Sequence, residues 1–221
     1  MRGDLVAVKI AAAYAALLAA VLLGGATTAG AQALRSAADS DYAARVIEHA
    51  RGTNAFMCEL ALRSIDNRFG AGYWIHVPDA ATEQRELFEW ATYQTESADA
   101  VPVLSDALSD RDPCARRVAA RLLGHIKHPR ALAALLDRLR SGDDQTRQLA
   151  AIGLGHQDDR NAVGALLRAL TDRAATVRAA VAWALGEIED RSAIEGLTRA
   201  LKEDPDPTVR RQAARALGQI Y

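Results

Sequence analysis

The sequence predicts an all-α fold, a solenoid of stacked helical hairpins, on three observations: a phrase that recurs, an apolar series in register ahead of it, and the punctuation between them. Glycines at 124, 155, 186 and 218 each close a near-copy of one phrase: "CARRVAARLLG", "TRQLAAIGLG", "VRAAVAWALG" and "VRRQAARALG". The closing glycines are spaced by 31, 31 and 32 residues, a period of the length that marks helical repeat arrays. Ahead of each phrase Val101, Leu132, Val163 and Ile194 stand in register, followed by Leu104, Leu135, Leu166 and Leu197, then Leu108, Leu139, Leu170 and Leu201. Apolar residues at i, i+3 and i+7 form one face of a helix, so each unit reads as a first helix followed by a second.

The punctuation agrees. Asp112-Pro113 and Asp206-Pro207 place a capping carboxylate before a proline at the first helical position, where its missing N–H is no loss. Gly124, Gly155, Gly186 and Gly218 read as left-handed residues that end the second helices. One hairpin of this length cannot cover its own apolar face, so neighbours must stack. Four units are expected, over residues 98–221, beginning near residues 98, 129, 160 and 191.

The motif of acidic turn, Val-Arg, paired small residues and Leu-Gly, seen in "DPTVRRQAARALG" and "ATVRAAVAWALG", resembles the short HEAT-like repeats also found in phycobilisome bilin lyases. The resemblance covers about 120 residues from Ala98 to Tyr221 and is specific for fold, while proteins built from such repeats include scaffolds, lyase subunits and metal enzymes. It implies that the arginine after the valine position, here Arg116, Arg147, Arg178 and Arg210, pairs with acidic turn residues, with Asp112, Asp143, Asp172 and Asp206 as the expected partners.

Residues 34–97 fit the repeat less well and are expected to form a divergent helical cap. "FMCELALRSID", Phe56 to Asp66, can be laid on the second-helix phrase, "NRFGAGYWIHVPD" reads as a loop, and "ATEQRELFEWATYQ" as an amphipathic helix capped by Asp79. Eight of the eleven aromatic residues fall between Tyr42 and Tyr93. Trp74, Trp90, Phe69 and Phe88 either close the open end of the stack or make an aromatic partner site. At the other end, Leu217, Ile220 and Tyr221 read as an apolar edge.

Residues 1–33 read as a secretory signal peptide. Arg2 and Lys9 flank the start of an apolar run from Ile10 to Leu23, and "AGAQA" offers cleavage after Ala31 or Ala33. The competing reading is an uncleaved membrane anchor, since Leu5 to Leu23 is just long enough to span a bilayer. The expected location is periplasmic or secreted, with membrane attachment only if the segment is retained. A net charge of −1 and an export signal speak against nucleic-acid binding.

Little in the sequence points to catalysis. No Gly-x-Ser-x-Gly elbow, phosphate-cradling glycine loop or CxxC motif occurs, and no enzymatic activity or cofactor is expected. His125 and His156 follow their glycines at equivalent positions, with Glu187 and Gln219 next in the column; they are read as exposed turn residues rather than metal ligands.

Binding is the remaining class. Arg121, Ile152, Trp183 and Arg215 stand three before each closing glycine, and Arg117, Gln148, Ala179 and Arg211 four earlier, on one face of the second helices. In such solenoids this face is concave. Trp183 and Ile152 at its middle, with Arg117 and Arg121 at one end and Arg211 and Arg215 at the other, suit an acidic-hydrophobic peptide or protein loop. The competing account folds Trp183 into the seam between units and leaves the arginines solvated. The expected function is an exported interaction scaffold; the alternative is a lyase-like enzyme subunit holding a small ligand in the groove.

Cys58 and Cys114, the two cysteines, are expected to be bridged, because an exported protein matures in an oxidising compartment. They lie near the starts of two second helices that become neighbours if residues 67–97 are an insertion. The alternative is a pair of buried thiols.

Overall fold

A computed structural model describes residues 28–66 and 97–221. These residues form helices throughout, with no strand among them. The helices are α1 (Thr28–Ala50), α2 (Ala55–Asp66), α3 (Val101–Ala107), α4 (Pro113–His125), α5 (Pro129–Ser141), α6 (Asp144–Gln157), α7 (Val163–Ala169), α8 (Ala175–Ile188), α9 (Ile194–Glu203) and α10 (Pro207–Ile220). None of the described helices is long and apolar enough to cross a membrane. The Ile10–Leu23 run and the aromatics Phe69, Trp74, Phe88 and Trp90 lie outside the described residues. The candidate cleavage positions Ala31 and Ala33 fall in the first turns of α1.

Four hairpins, α3/α4, α5/α6, α7/α8 and α9/α10, stack so that the second helices α4, α6, α8 and α10 lie side by side. The apolar columns explain why. Leu104, Leu135, Leu166 and Leu197 are each fully buried, as are Leu123, Leu154 and Leu185 before the glycines. Burying a leucine side chain is worth roughly 1.5–3 kcal/mol, so these columns provide much of the stack's cohesion. Leu217 and Ile220 also turn inward; of the expected apolar edge, Tyr221 alone is exposed, at 89 %.

Local signals set the boundaries. Asp112 Oδ1 accepts from the Cys114 and Ala115 amides at 2.8 and 3.1 Å, Asp143 from Thr146 at 2.7 Å, and Asp206 from Thr208 at 2.7 Å. Three units open on a single 3₁₀ turn, capped by Ser97, Asp159 and Asp190, while the second opens on Pro129 with His128 Nδ1 as the acceptor. The glycines do not act as helix stops. The second helices run on past them to His125, Gln157, Ile188 and Ile220, and the left-handed residues are Asp158 (φ 51°) and Glu189 (φ 52°).

Packing is what makes glycine necessary. A Cβ at Gly124 would lie 2.9 Å from Gly153 O of the next second helix, one at Gly155 3.0 Å from Ala184 Cα, and one at Gly186 2.8 Å from Ala216 Cα. These glycines let backbones of adjacent units touch, and any side chain would wedge them apart. At Gly218 nothing lies within 4 Å.

Helix α2 packs along α4, and α1 against α3 and α4. A covalent bond joins this pair to the stack: Cys58 and Cys114 are disulfide-linked, with their Cα atoms 5.8 Å apart. The two helices therefore converge at their N-terminal ends to well inside a normal helix-packing distance. Around the bridge, Arg51 donates to Asp110 Oδ2 at 2.8 and 3.0 Å, and Asp112 Oδ2 accepts from the amide of Gly52, which has φ 71°.

Candidate functional site: the groove across the second helices

The second helices carry a polar ladder on one side and a groove on the other. The ladder begins with arginine. Arg147 of the second unit grips Asp172 of the third through Nε–Oδ2 at 2.7 Å and NH2–Oδ1 at 2.9 Å, and Arg178 grips Asp204 of the fourth with the same two contacts at 2.7 and 2.9 Å. Those guanidiniums hold the Asp172 and Asp204 carboxyls below the usual carboxylate range, and Arg51 does the same for Asp110.

The pairing differs from the expected one at the remaining rungs. Arg116 and Arg210 donate to the backbone carbonyls of Asp110 and Asp204, at 3.0 and 2.7 Å, and not to Asp112 or Asp206. Asp112, Asp143 and Asp206 are instead occupied as helix caps. The acidic rungs are Asp110, Asp172 and Asp204, two residues before the start of the capping positions, and the second unit has Ser141 there.

On the opposite side, α4, α6, α8 and α10 together enclose a groove of about 410 Å³. Arg121, Ile152 and Trp183 line it, with Gln148, His156, Thr176, Ala179, Thr208 and Gln212. Trp183 is half-buried and serves both accounts of it. Its Cζ3 edge fits over Gly155, where a Cβ would come within 2.6 Å, while the ring still lines the groove. The seam anchors the ring and so fixes the orientation that it presents.

His156 is not in a turn. It lies in α6, its ring 5.0 Å from Trp183 and 5.8 Å from His125. Its Nε2 is 2.6 Å from Arg121 NH1. A guanidinium can only donate, so in this contact Nε2 is the acceptor. The Arg121–His156–Trp183 row thus crosses three units. The sequence signal for His156 was available: it follows Gln148 and Ile152 at i+4 steps on the same helix face.

The other arginines of this face are arranged differently. Arg117 lies outside the groove lining and pairs with Glu59 of α2 at 2.8 Å, where it holds the Glu59 carboxyl below its ordinary value. Arg211 is exposed and donates to Thr208 Oγ1 at 3.3 Å, and Arg215 is exposed beside it on α10. Among the described residues no cluster of three or more His, Cys, Asp and Glu side chains is placed to hold a metal ion.

A buried polar clamp escaped sequence reasoning altogether. Gln157, 3 % exposed, donates through Nε2 to Ile126 O at 2.8 Å and Leu123 O at 3.3 Å, closing the end of α4, while Lys127 Nζ donates to His156 O at 3.0 Å and to Gln157 O.

The model of HEAT repeats matches residues 78–152 and 132–218. Among solved structures, the complex of CpcE and CpcF of phycocyanin lyase from Nostoc sp. PCC7120 is similar at 26 % identity and a TM-score of 0.48, over 77 % of this chain and 67 % of that one. A designed armadillo repeat protein in complex with the peptide (KR)4 is similar at 16 % identity and a TM-score of 0.41, over 87 % and 93 %. An engineered protein is similar at 20 % identity and a TM-score of 0.41, over 85 % and 92 %. Comparison with curated protein sequences returns no match.

Proposed function

The chain belongs to the HEAT repeat family, and from that premise we propose that it is an exported interaction scaffold that holds a protein partner in the groove across α6, α8 and α10. The observation that carries this reading is Trp183: its edge is locked over Gly155 while its ring lines the groove. A preorganised aromatic anchor of this kind loses little conformational freedom on binding. The acceptor nitrogen of His156 is taken up by Arg121, and the rest of the lining is amide, hydroxyl and apolar groups, which fits binding better than catalysis. Export is supported by the apolar N-terminal run and by the Cys58–Cys114 bond, which suits an oxidising compartment.

The test is cross-linking of the native protein in an envelope fraction, followed by mass spectrometry. The reading requires partner cross-links concentrated on α6, α8 and α10 and an N-terminus at Gln32 or Leu34. Cross-links confined to the first helices would overturn the groove, and a retained residue 1 would overturn cleavage.

A further inference from the structure

The last second helix carries a finished seam with nothing against it. In α4, α6 and α8 one stripe at i+4 steps recurs: Arg116, Ala120 and Gly124; Arg147, Ala151 and Gly155; Arg178, Ala182 and Gly186. These alanines and glycines are buried by the neighbouring unit. On α10 the stripe is Arg210, Ala214 and Gly218, and there Ala214 and Gly218 are exposed. The guanidinium is set as well. Arg147 NH1 is anchored on Gly142 O and Arg178 NH1 on Asp172 O, both at 2.8 Å, which leaves Nε and NH2 for the aspartate of the next unit. Arg210 NH1 is anchored likewise, on Asp204 O at 2.7 Å and Pro205 O at 3.0 Å, while its Nε and NH2 hydrogen-bond to nothing among the described residues.

We infer that this end of the stack docks a helical hairpin of a different protein, one whose second helix follows a turn with an aspartate for Arg210 and sets alanine or glycine against Gly218. The inner seams show what such a face accepts. Arg147 and Arg178 take Asp172 and Asp204, while Gly155 and Gly186 meet Ala184 and Ala216. Twelve residues separate the aspartate from the alanine in both. A two-pronged guanidinium–carboxylate pair fixes orientation, and glycine at backbone contact admits only a small residue, so together they select a helix in this register.

A second copy of the chain does not offer this chemistry. Its α2 is capped by Asn54, and two residues before that cap, where Asp110, Asp172 and Asp204 stand in later units, is Gly52 beside Arg51. A tail-to-tail pair sets Arg210, Arg211 and Arg215 of both copies at one interface, like charge against like. The carboxylate has to come from another protein. Docking there does not depend on what the groove holds.

The probe is a fluorescein-labelled synthetic hairpin with the sequence of residues 190–220, which carries the Asp204 and Ala216 that α8 accepts, and with one hydrocarbon staple in each helix on the side away from them. Fluorescence anisotropy with the full protein should show binding that weakens about tenfold or more when the probe carries Asp204→Asn. Arg210→Gln in the protein should make the two probes bind alike. Gly218→Leu in the protein should weaken the parent probe by about tenfold or more without lowering the melting temperature, since nothing lies within 4 Å of that position. A protein that binds neither probe, or both alike, overturns the inference, and so does binding indifferent to Gly218→Leu. Sedimentation of the protein alone should show a monomer; a dimer dispersed by Gly218→Leu would give the face to a second copy and overturn the assignment to another protein.

Discussion

Arg147 and Asp172 meet across the boundary between the second and third units in a two-pronged pair, Nε–Oδ2 at 2.7 Å and NH2–Oδ1 at 2.9 Å, with side chains only 10 % and 13 % exposed. The second unit is thereby tied to the third, and through Arg178 and Asp204 the third to the fourth, by charge as well as by leucine. Asp172→Asn should cost about 2 kcal/mol, because it leaves a largely buried guanidinium with a weaker acceptor. Thermal or urea unfolding measures it; an unchanged midpoint would show that the pair contributes nothing net.

The same pairs fix the sign of the acid response. Asp110, Asp172 and Asp204 have their folded-state values depressed by Arg51, Arg147 and Arg178. Their stabilisation is therefore complete above the unfolded-state value of about 3.9 and is lost as the pH falls from there through the folded values. Melting temperature followed from pH 6 to pH 2 should stay level and then fall, and the fall should be shallower in Asp172→Asn.

Equivalent glycines should respond in opposite directions. Gly155→Ala drives a Cβ to 2.6 Å from Trp183 and 3.0 Å from Ala184 Cα, so it should destabilise by roughly 1–3 kcal/mol. Gly218→Ala meets nothing within 4 Å and should stabilise by about 0.5–1 kcal/mol through helix propensity alone. Calorimetry on the two variants settles whether close backbone approach is why glycine closes each phrase.

Removing the bridge tests stability at the other end of the stack. The Cys58→Ala/Cys114→Ala protein should lose roughly 4 kcal/mol in the chain-entropy account of a closed loop with a sequence separation of 56. Maleimide labelling of the wild type under denaturing, non-reducing conditions should count no free thiol.

Gln157→Leu removes the two bonds that close α4 and leaves the Leu123 and Ile126 carbonyls to find other partners. A loss of about 1–3 kcal/mol is expected. Hydrogen exchange should localise the loosening to the turn between α4 and α5.

The repeats were legible because burial repeats: Leu104, Leu135, Leu166 and Leu197 recur at fixed spacing and all reach the core. The capping aspartates were legible for the same local reason. Gly155 was misread because glycine suits both a left-handed turn and a close helix contact, and only the neighbouring helix decides between them. The same ambiguity places His156 in a turn on sequence alone, whereas the helix runs on through it to Gln157. The Asp204 rung was missed because Asp204 and Asp206 are both acidic turn residues; which one faces Arg178 depends on the path of the turn. Gln157 and Gln212 were overlooked since a lone glutamine carries no periodic signal.

The measurement that tests the groove most directly is site-specific photo-crosslinking. A benzophenone side chain is placed at Ala179, within the groove lining, or at Ala133, exposed on the first helix α5. The protein is then irradiated in the cells that produce it. The account predicts a discrete adduct from position 179 that is lost when Trp183→Ala is added, and none from position 133. Adducts of equal yield from both positions, or an adduct at 179 indifferent to Trp183→Ala, would contradict it.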